Sequence, residues 1–233
     1  MIAVIGDIHG CFLTLEKLVQ QIKSNYQGIK IYCVGDLVDR GNFSYEVLDF
    51  VAAENITFTP GNHDLMFYYH MKEPSNPIGK PWIHNGYEPT LKSYQGRWEK
   101  MDVHLDMIIS APLIIDHADC FISHAGISDY YYRHFDNNGL RDIKNLEKLV
   151  NSELLSDHGI IWNRDDLLDI GRLQIVGHTR VFEVKHVEYN NSLYIDTACV
   201  ANNKLSAVIV EKHNVVEILS EKTIQMDVSK TSI

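Results

Sequence analysis

Five short apolar runs in this chain each end abruptly in a cluster of side chains able to bind metal or phosphate. Ile2-Ala3-Val4-Ile5 leads into Gly6-Asp7-Ile8-His9-Gly10. Ile31-Tyr32-Cys33-Val34 leads into Gly35-Asp36-Leu37-Val38-Asp39-Arg40-Gly41. Ile56-Thr57-Phe58-Thr59 leads into Pro60-Gly61-Asn62-His63-Asp64. Cys120-Phe121-Ile122-Ser123 precedes His124-Ala125-Gly126, and Leu173-Gln174-Ile175-Val176 precedes Gly177-His178-Thr179.

Asp7, His9, Asp36, Asn62, His124 and His178 offer three oxygen donors and three imidazoles, a set that suits Mn, Fe or Zn rather than a thiolate-loving metal. That exceeds the needs of one ion once water is counted. Two ions sharing a bridging carboxylate fit better. A pair about 3.5–4 Å apart can hold a hydroxide between them and bind phosphoryl oxygens at the same time. Arg40, four residues beyond Asp36, is placed to fork onto those oxygens, which lysine does less well. Taken singly, each element has a bland reading: Gly-Asp is often a turn, and a lone histidine is more often structural. The weight lies in five clusters occurring together.

These clusters need a scaffold that brings them to one place. Apolar runs bounded by turn residues read as buried strands. Leu13 to Ile22 places Leu15, Leu18, Val19 and Ile22 on one helical face, and Ser44 to Ala53 does the same with Val47, Leu48 and Val51, with Ser44 as a candidate cap. Asp7 to Asp36 spans 29 residues and Asp36 to Asn62 spans 26, which suits two strand-helix-strand crossovers with parallel strands. In open α/β sheets, ligands sit beyond the carboxyl ends of such strands. Residues 66 to 118, with five of the six prolines, predict a helical and loop insertion over one end of the sheet, including a loop from Pro74 to Lys80. After His178, strands are expected at Val181 to Tyr189, Leu193 to Ile195, Leu205 to Val210 and Val215 to Leu219, with Asn190-Asn191 as a hairpin turn. The chain beyond about Asp227 is expected to be unanchored.

The 233 residues suit a single domain, 1–233. A formal net charge of -10 argues against non-specific nucleic-acid or anionic-membrane partners. No run approaches the roughly 20 apolar residues of a membrane helix, and no signal peptide is visible. Cys11, Cys33, Cys120 and Cys199 form no C-x-x-C pair and read as reduced thiols of a cytoplasmic protein.

In family order, from residue 2 to about residue 210, the five clusters resemble the motifs of the calcineurin-like metallophosphoesterases, and within them the small bacterial and phage form of the phosphoprotein-phosphatase branch. The resemblance implies an α/β fold, a β-sandwich of two mixed sheets flanked by helices, with manganese as the usual activator. It implies Asp7 and His9 on a first ion, Asp36 bridging, and Asn62, His124 and His178 on a second. It gives Arg40 and Arg164 (in Ile160-Ile161-Trp162-Asn163-Arg164) as phosphate clamps, His63 as general acid and Asp39 as the group that orients it. Asp64 stands where animal protein phosphatases carry glutamate. In Trp82-Ile83-His84-Asn85-Gly86-Tyr87, Tyr87 replaces a usual glycine, as does Ala198 in Ile195-Asp196-Thr197-Ala198-Cys199.

The leading expectation is hydrolysis of a phosphomonoester, on a phosphoprotein or a small aryl phosphate. The alternative is a nucleotide hydrolase acting on a dinucleoside tetraphosphate or a 2′,3′-phosphate, favoured by Asp64 and by Tyr130-Tyr131-Tyr132 as a base-stacking wall. A non-catalytic metal-binding module is a remote third. The histidines outside the motifs, including His84 and His158, read as surface or structural groups.

Overall fold

A computed structural model describes residues 1–134 and 143–228. In chain order the elements are β1 (Ile2–Ile5), α1 (Phe12–Asn25), β2 (Lys30–Cys33), α2 (Ser44–Ala53), β3 (Thr57–Phe58), α3 (Asn62–Lys72), α4 (Glu88–Ser93), α5 (Met101–Ser110), β4 (Ile114–His117), β5 (Cys120–Ser123), α6 (Ile143–Ser152), β6 (Gln174–Val176), β7 (Lys185–Val187), β8 (Ser192–Tyr194), β9 (Lys204–Glu211) and β10 (Asn214–Lys222). They build two five-stranded mixed sheets, ordered β10-β9-β1-β2-β3 and β4-β5-β6-β8-β7.

The strands alternate between two cores. Ile2 and Val4 of β1, with Val208 and Val210 of β9, meet Cys120 and Ile122 of β5 and Ile175 and Leu193 of the facing sheet. Ala3 and Ile5, with Ala207 and Ile209, turn the other way and pack under Leu15, Leu18 and Ile22 of α1 and Val47, Leu48 and Val51 of α2. Both faces of β1 are therefore dry, so its sequence is a continuous apolar run rather than an alternation. The crossovers are as expected, with β1, β2 and β3 parallel. β5, β6 and β8 are also parallel, but in the second sheet. The five clusters thus come from two sheets that face each other across a dry core.

Several expectations change in detail. Residues 66 to 118, expected as a helical and loop insertion, carry the rest of α3, a 3-10 turn at Lys80–His84, α4 and α5, and end in strand β4; Pro74 to Gly79 is loop, one residue short of the expected Lys80. Ser44 does not cap α2: it is the helix's first residue, behind Phe43, and its hydroxyl accepts from Asp39 N–H at 3.2 Å. Val181 to Val184 is not strand; β7 begins at Lys185. The β7–β8 pair closes through a 3-10 turn and Asn191, whose φ of 51° sits in the left-handed region that asparagine tolerates. The described chain is anchored up to the start of the stretch expected to be unanchored. Asp227 and Val228 are buried. The Asp227 carboxylate accepts from Leu13 N–H and Thr14 N–H, each at 2.9 Å, so it satisfies the amino end of α1, which has no local side-chain cap. Residues 229–233 lie outside the described residues.

Candidate active site

The loops after β1 and β2 are stitched by their own backbones. Ile8 N–H and His9 N–H both reach Asp36 O, at 3.1 and 2.7 Å, Gly10 N–H reaches Leu37 O, and Gly41 N–H reaches His9 O. This stitching holds His9, Asp36, Asp39 and Arg40 at positive φ, between 47° and 73°, and His178 joins them at 61°. A left-handed residue other than glycine costs about 1–2 kcal/mol, so half of the ten candidate residues are held in a strained backbone conformation. Two glycines allow the close approach. A Cβ on Gly61 would lie 2.1 Å from Asp36 Oδ1, and one on Gly177 would lie 1.9 Å from Asp7 Oδ1. Asp64 locks the β2 and β3 loops together, accepting from Leu37 N–H and Gly61 N–H at 2.9 Å each. Its carboxylate is committed to the scaffold, so it does not select substrate directly.

Eight of the ten candidates line one open cavity of about 750 Å³: Asp7, His9, Asp36, Arg40, Asn62, His63, Arg164 and His178. The other two stand behind it. His124 is fully buried, with Nε2 3.1 Å from Asn62 Oδ1 and 3.5 Å from Asp36 Oδ1. Asp39 is also fully buried and lies 2.7 Å from His63 Nδ1.

The donor set fits a pair of cations. His9 and His124 each turn Nδ1 to a backbone carbonyl, Val38 O and Val34 O, at 2.9 Å. That fixes the tautomer and points Nε2 inward, as in metal-ligating histidines. His178 turns Nδ1 to the same Asn62 Oδ1, at 3.0 Å, that His124 Nε2 approaches, and Asp7 Oδ1 is buried without a partner. Orphaned buried polar atoms of this kind are costly unless something else satisfies them. Asp36 belongs to two groups of ligand atoms within 4.8 Å of one another, one with His9 and His63 and one with His124 and His178. A carboxylate so placed could serve two ions at once. The first of these groups includes His63, and Asp7 lies outside both.

The charges agree. Burial, then Asp196 and Asp36, push the Asp7 carboxyl well above its usual range. Burial also raises Asp36, but the imidazoles of His124, His63, His9 and His178 outweigh it and hold its carboxyl below the usual range. Burial pulls His178 down to about 3, so its imidazole is neutral and keeps one nitrogen lone pair for a metal. Three buried carboxylates, Asp7, Asp36 and Asp196, thus crowd one spot, and cations would relieve their repulsion.

Arg40 is held by Gly86 O at its own N–H, 2.8 Å away, and its guanidinium donates to His9 Nε2 at 2.7 Å. Arg164 donates to His178 O at 3.4 Å.

Sequence reasoning missed a ring of supporting residues. The insertion supplies Trp82 and Thr90, which donate to Asp39 from Nε1 at 2.9 Å and from Oγ1 at 2.8 Å. Burial raises the Asp39 carboxyl, while His63, Thr90 and Trp82 oppose the rise. Arg180 and Asp196 line the cavity beside the motif residues. Adjacency to Gly177-His178-Thr179 was the only available signal for Arg180. His158 was expected to be a surface or structural histidine, yet it stands on the cavity rim, 2.5 Å from Asp165 and stacked on Tyr130. Of the tyrosine run, Tyr131 is core, and no member lines the cavity directly. His84 is exposed and outside it. Tyr87 packs on Trp82, at 5.2 Å between ring centroids, rather than forming the cavity wall. All four cysteines are free and buried. Among the described residues, no helix is long and apolar enough to cross a membrane.

Two mixed sheets whose strand ends converge on a buried carboxylate shared by two groups of candidate metal ligands belong to a metallophosphoesterase, a hydrolase of phosphate esters. Residues 1–214 match the calcineurin-like phosphoesterases, and the chain belongs to that family. It is 29% identical to the asymmetrical bis(5′-nucleosyl)-tetraphosphatase PrpE of Bacillus velezensis, over 97% of this chain and 95% of that one. Among solved structures, it superposes on a protein assigned as a diadenosine tetraphosphatase with a TM-score of 0.58, at 22% identity, covering 96% of this chain and 94% of the other. It superposes equally well, at 0.59 and 18% identity, on a cold-active protein-tyrosine phosphatase of a Shewanella species, covering 96% and 80%. At such identities these two likenesses speak to the fold alone.

Proposed function

We propose that this enzyme hydrolyses dinucleoside polyphosphates, with a dinucleoside tetraphosphate as its substrate. The observation that carries this is three guanidiniums, Arg40, Arg164 and Arg180, on one 750 Å³ cavity around the buried carboxylates. A monoester presents one phosphoryl group, for which two arginines suffice. A polyphosphate chain gives the third a partner. The full-length likeness to a tetraphosphatase supports the same reading.

Asp7 and His9 would hold one divalent ion, Asn62, His124 and His178 a second, and Asp36 both. The donor set suits manganese, with iron or zinc as substitutes. Bound there, the ions supply an activated water and the positive charge that phosphoryl oxygens need in the transition state. The protein supplies the rest. Arg40 and Arg164 fork onto the phosphoryl oxygens and align the scissile phosphate. His63, with Nδ1 committed to Asp39, keeps Nε2 as the nitrogen that hands a proton to the leaving oxygen. Asp39, buried and gripped by Trp82 and Thr90, fixes that imidazole's orientation as the aspartate of a catalytic triad does.

Hydrolysis of a phosphomonoester, phosphoprotein or aryl phosphate, ranks second; two ions held by the same residues, together with the clamp, would serve it equally. The experiment compares kcat/KM for diadenosine tetraphosphate, a phosphoserine peptide and p-nitrophenyl phosphate, with added manganese and product chromatography. The dinucleotide should lead by about a hundredfold, the difference between about 3 kcal/mol of added substrate binding and none. Asp36→Asn and His63→Asn should each abolish turnover. A phosphopeptide turned over faster than the dinucleotide would overturn the assignment. Full activity of Asp36→Asn after chelation would overturn the mechanism.

A further inference from the structure

A second cavity, of about 410 Å³, adjoins the catalytic one and shares Arg164, Asp165 and Thr179 with it. Its volume lies within the roughly 300–1,000 Å³ of small-molecule sites. The remaining wall is aromatic and polar, with Tyr189, Tyr194 and His186 beside Lys185 and Asp166. Tyr189 is 69% exposed, a large ring left in solvent next to a phosphate clamp. Asp166, on the same cavity wall, raises the pKa of its phenol.

The charges limit what can enter. Arg164 and Lys185 share the lining with two carboxylates, Asp165 and Asp166. A second phosphate would meet those carboxylates at a cost. A neutral aromatic ring carrying N–H donors would not: it could stack on tyrosine and donate to a carboxylate. Those are the two ways proteins hold a nucleobase without reading a duplex.

We infer that this side cavity is a nucleobase subsite. With a phosphate of the substrate on Arg164, the base of the same nucleotide stacks on Tyr189 and Tyr194. The assignment deepens the dinucleotide reading and rests on it for the phosphate's place on Arg164.

The test is calorimetric binding to the manganese-loaded enzyme of two non-hydrolysable ligands, adenosine 5′-methylenediphosphonate and methylenediphosphonate itself. The nucleoside form should bind about tenfold more tightly, the lower part of what stacking one base on an aromatic side chain contributes. Tyr189→Ala should erase the difference, Tyr189→Phe should keep it, and both variants should hydrolyse glycerol 2-phosphate at the wild-type rate. Equal binding of the two ligands overturns the subsite, as does a preference that survives Tyr189→Ala. Tighter binding of an O-phosphotyrosine phosphonate analogue than of the nucleoside ligand also overturns it, since the cavity would then be an aryl-phosphate pocket. Turnover of diadenosine tetraphosphate, measured alongside, separates the two readings. Turnover without base preference removes only the subsite. Base preference without turnover removes only the dinucleotide reading.

Discussion

Replacing Thr90 by valine should weaken the site from a distance, because its hydroxyl is nearly all that distinguishes the two side chains. Thr90 is fully buried. Its Oγ1 donates to Asp39 Oδ1 at 2.8 Å, accepts from Asp39 N–H at 3.0 Å and sits 3.0 Å from Ser44 Oγ. Valine keeps the volume and removes all three contacts. A hydrogen bond to a charged group is worth about 1.5–3 kcal/mol. Asp39 N–H retains Ser44 Oγ at 3.2 Å, so little is added for an orphaned donor. The expected loss is about 2 kcal/mol, or roughly 4–8 °C in Tm for a chain of this size. The loss should depend on pH with a definite sign. Burial raises Asp39 and the Thr90 bond opposes the rise, so the bond stabilises the ionised form. The loss is therefore full above the raised titration of Asp39 and fades as the pH falls through it. The acid limb of kcat should move to higher pH in the variant at saturating manganese, because a protonated Asp39 no longer accepts from His63. The assay is urea unfolding of wild type, Thr90→Val and Thr90→Ser at pH 8 and pH 4.5, with kcat–pH profiles. Equal stability of the valine and serine variants at pH 8, or an unmoved acid limb, would refute the reasoning.

Gly61→Ala puts a Cβ about 2.1 Å from Asp36 Oδ1. It should lower stability by about 1–3 kcal/mol and bound manganese below two ions per chain by elemental analysis; unchanged metal content would show that the Asp36 carboxylate has room to move. Ala198 holds φ at 57°, so Ala198→Gly should raise the unfolding free energy by up to about 1 kcal/mol in urea titration, the left-handed strain less the entropy of glycine; a destabilised variant would show that the Ala198 methyl packs usefully. Burial holds His178 at about 3, so its ring-proton NMR shift in chelated protein should stay in the neutral range down to about pH 4. The unfolded imidazole is charged below about 6.5, so metal-free stability should drain as pH falls from there toward 3; a transition near 6.5 in the folded state would contradict the burial.

The sequence alone determined the strand ends and the chemistry hung on them. Short apolar runs such as Ile2–Ile5, bounded by turn residues, read as buried strands, and the residues that follow, Asp7, Asp36, Asn62, His124 and His178, are all of types able to bind a metal, which gains weight because five such clusters occur together. Local rules also located α2 and the parallel β1-β2-β3 order, because helical periodicity and crossover length are properties of nearby residues. Contacts made across long separations were out of reach. Trp82 and Thr90 reach Asp39 from 43 and 51 residues away, and Asp227 caps α1 from 214 residues away. No local pattern records such a partner, since a buried hydroxyl or indole N–H is chosen by the group it meets and not by its neighbours in the chain. The second sheet supplied the rest: packing β6 and β8 against the first sheet brought Arg180, Asp196 and the Tyr189 cavity beside residues that the motifs had already marked.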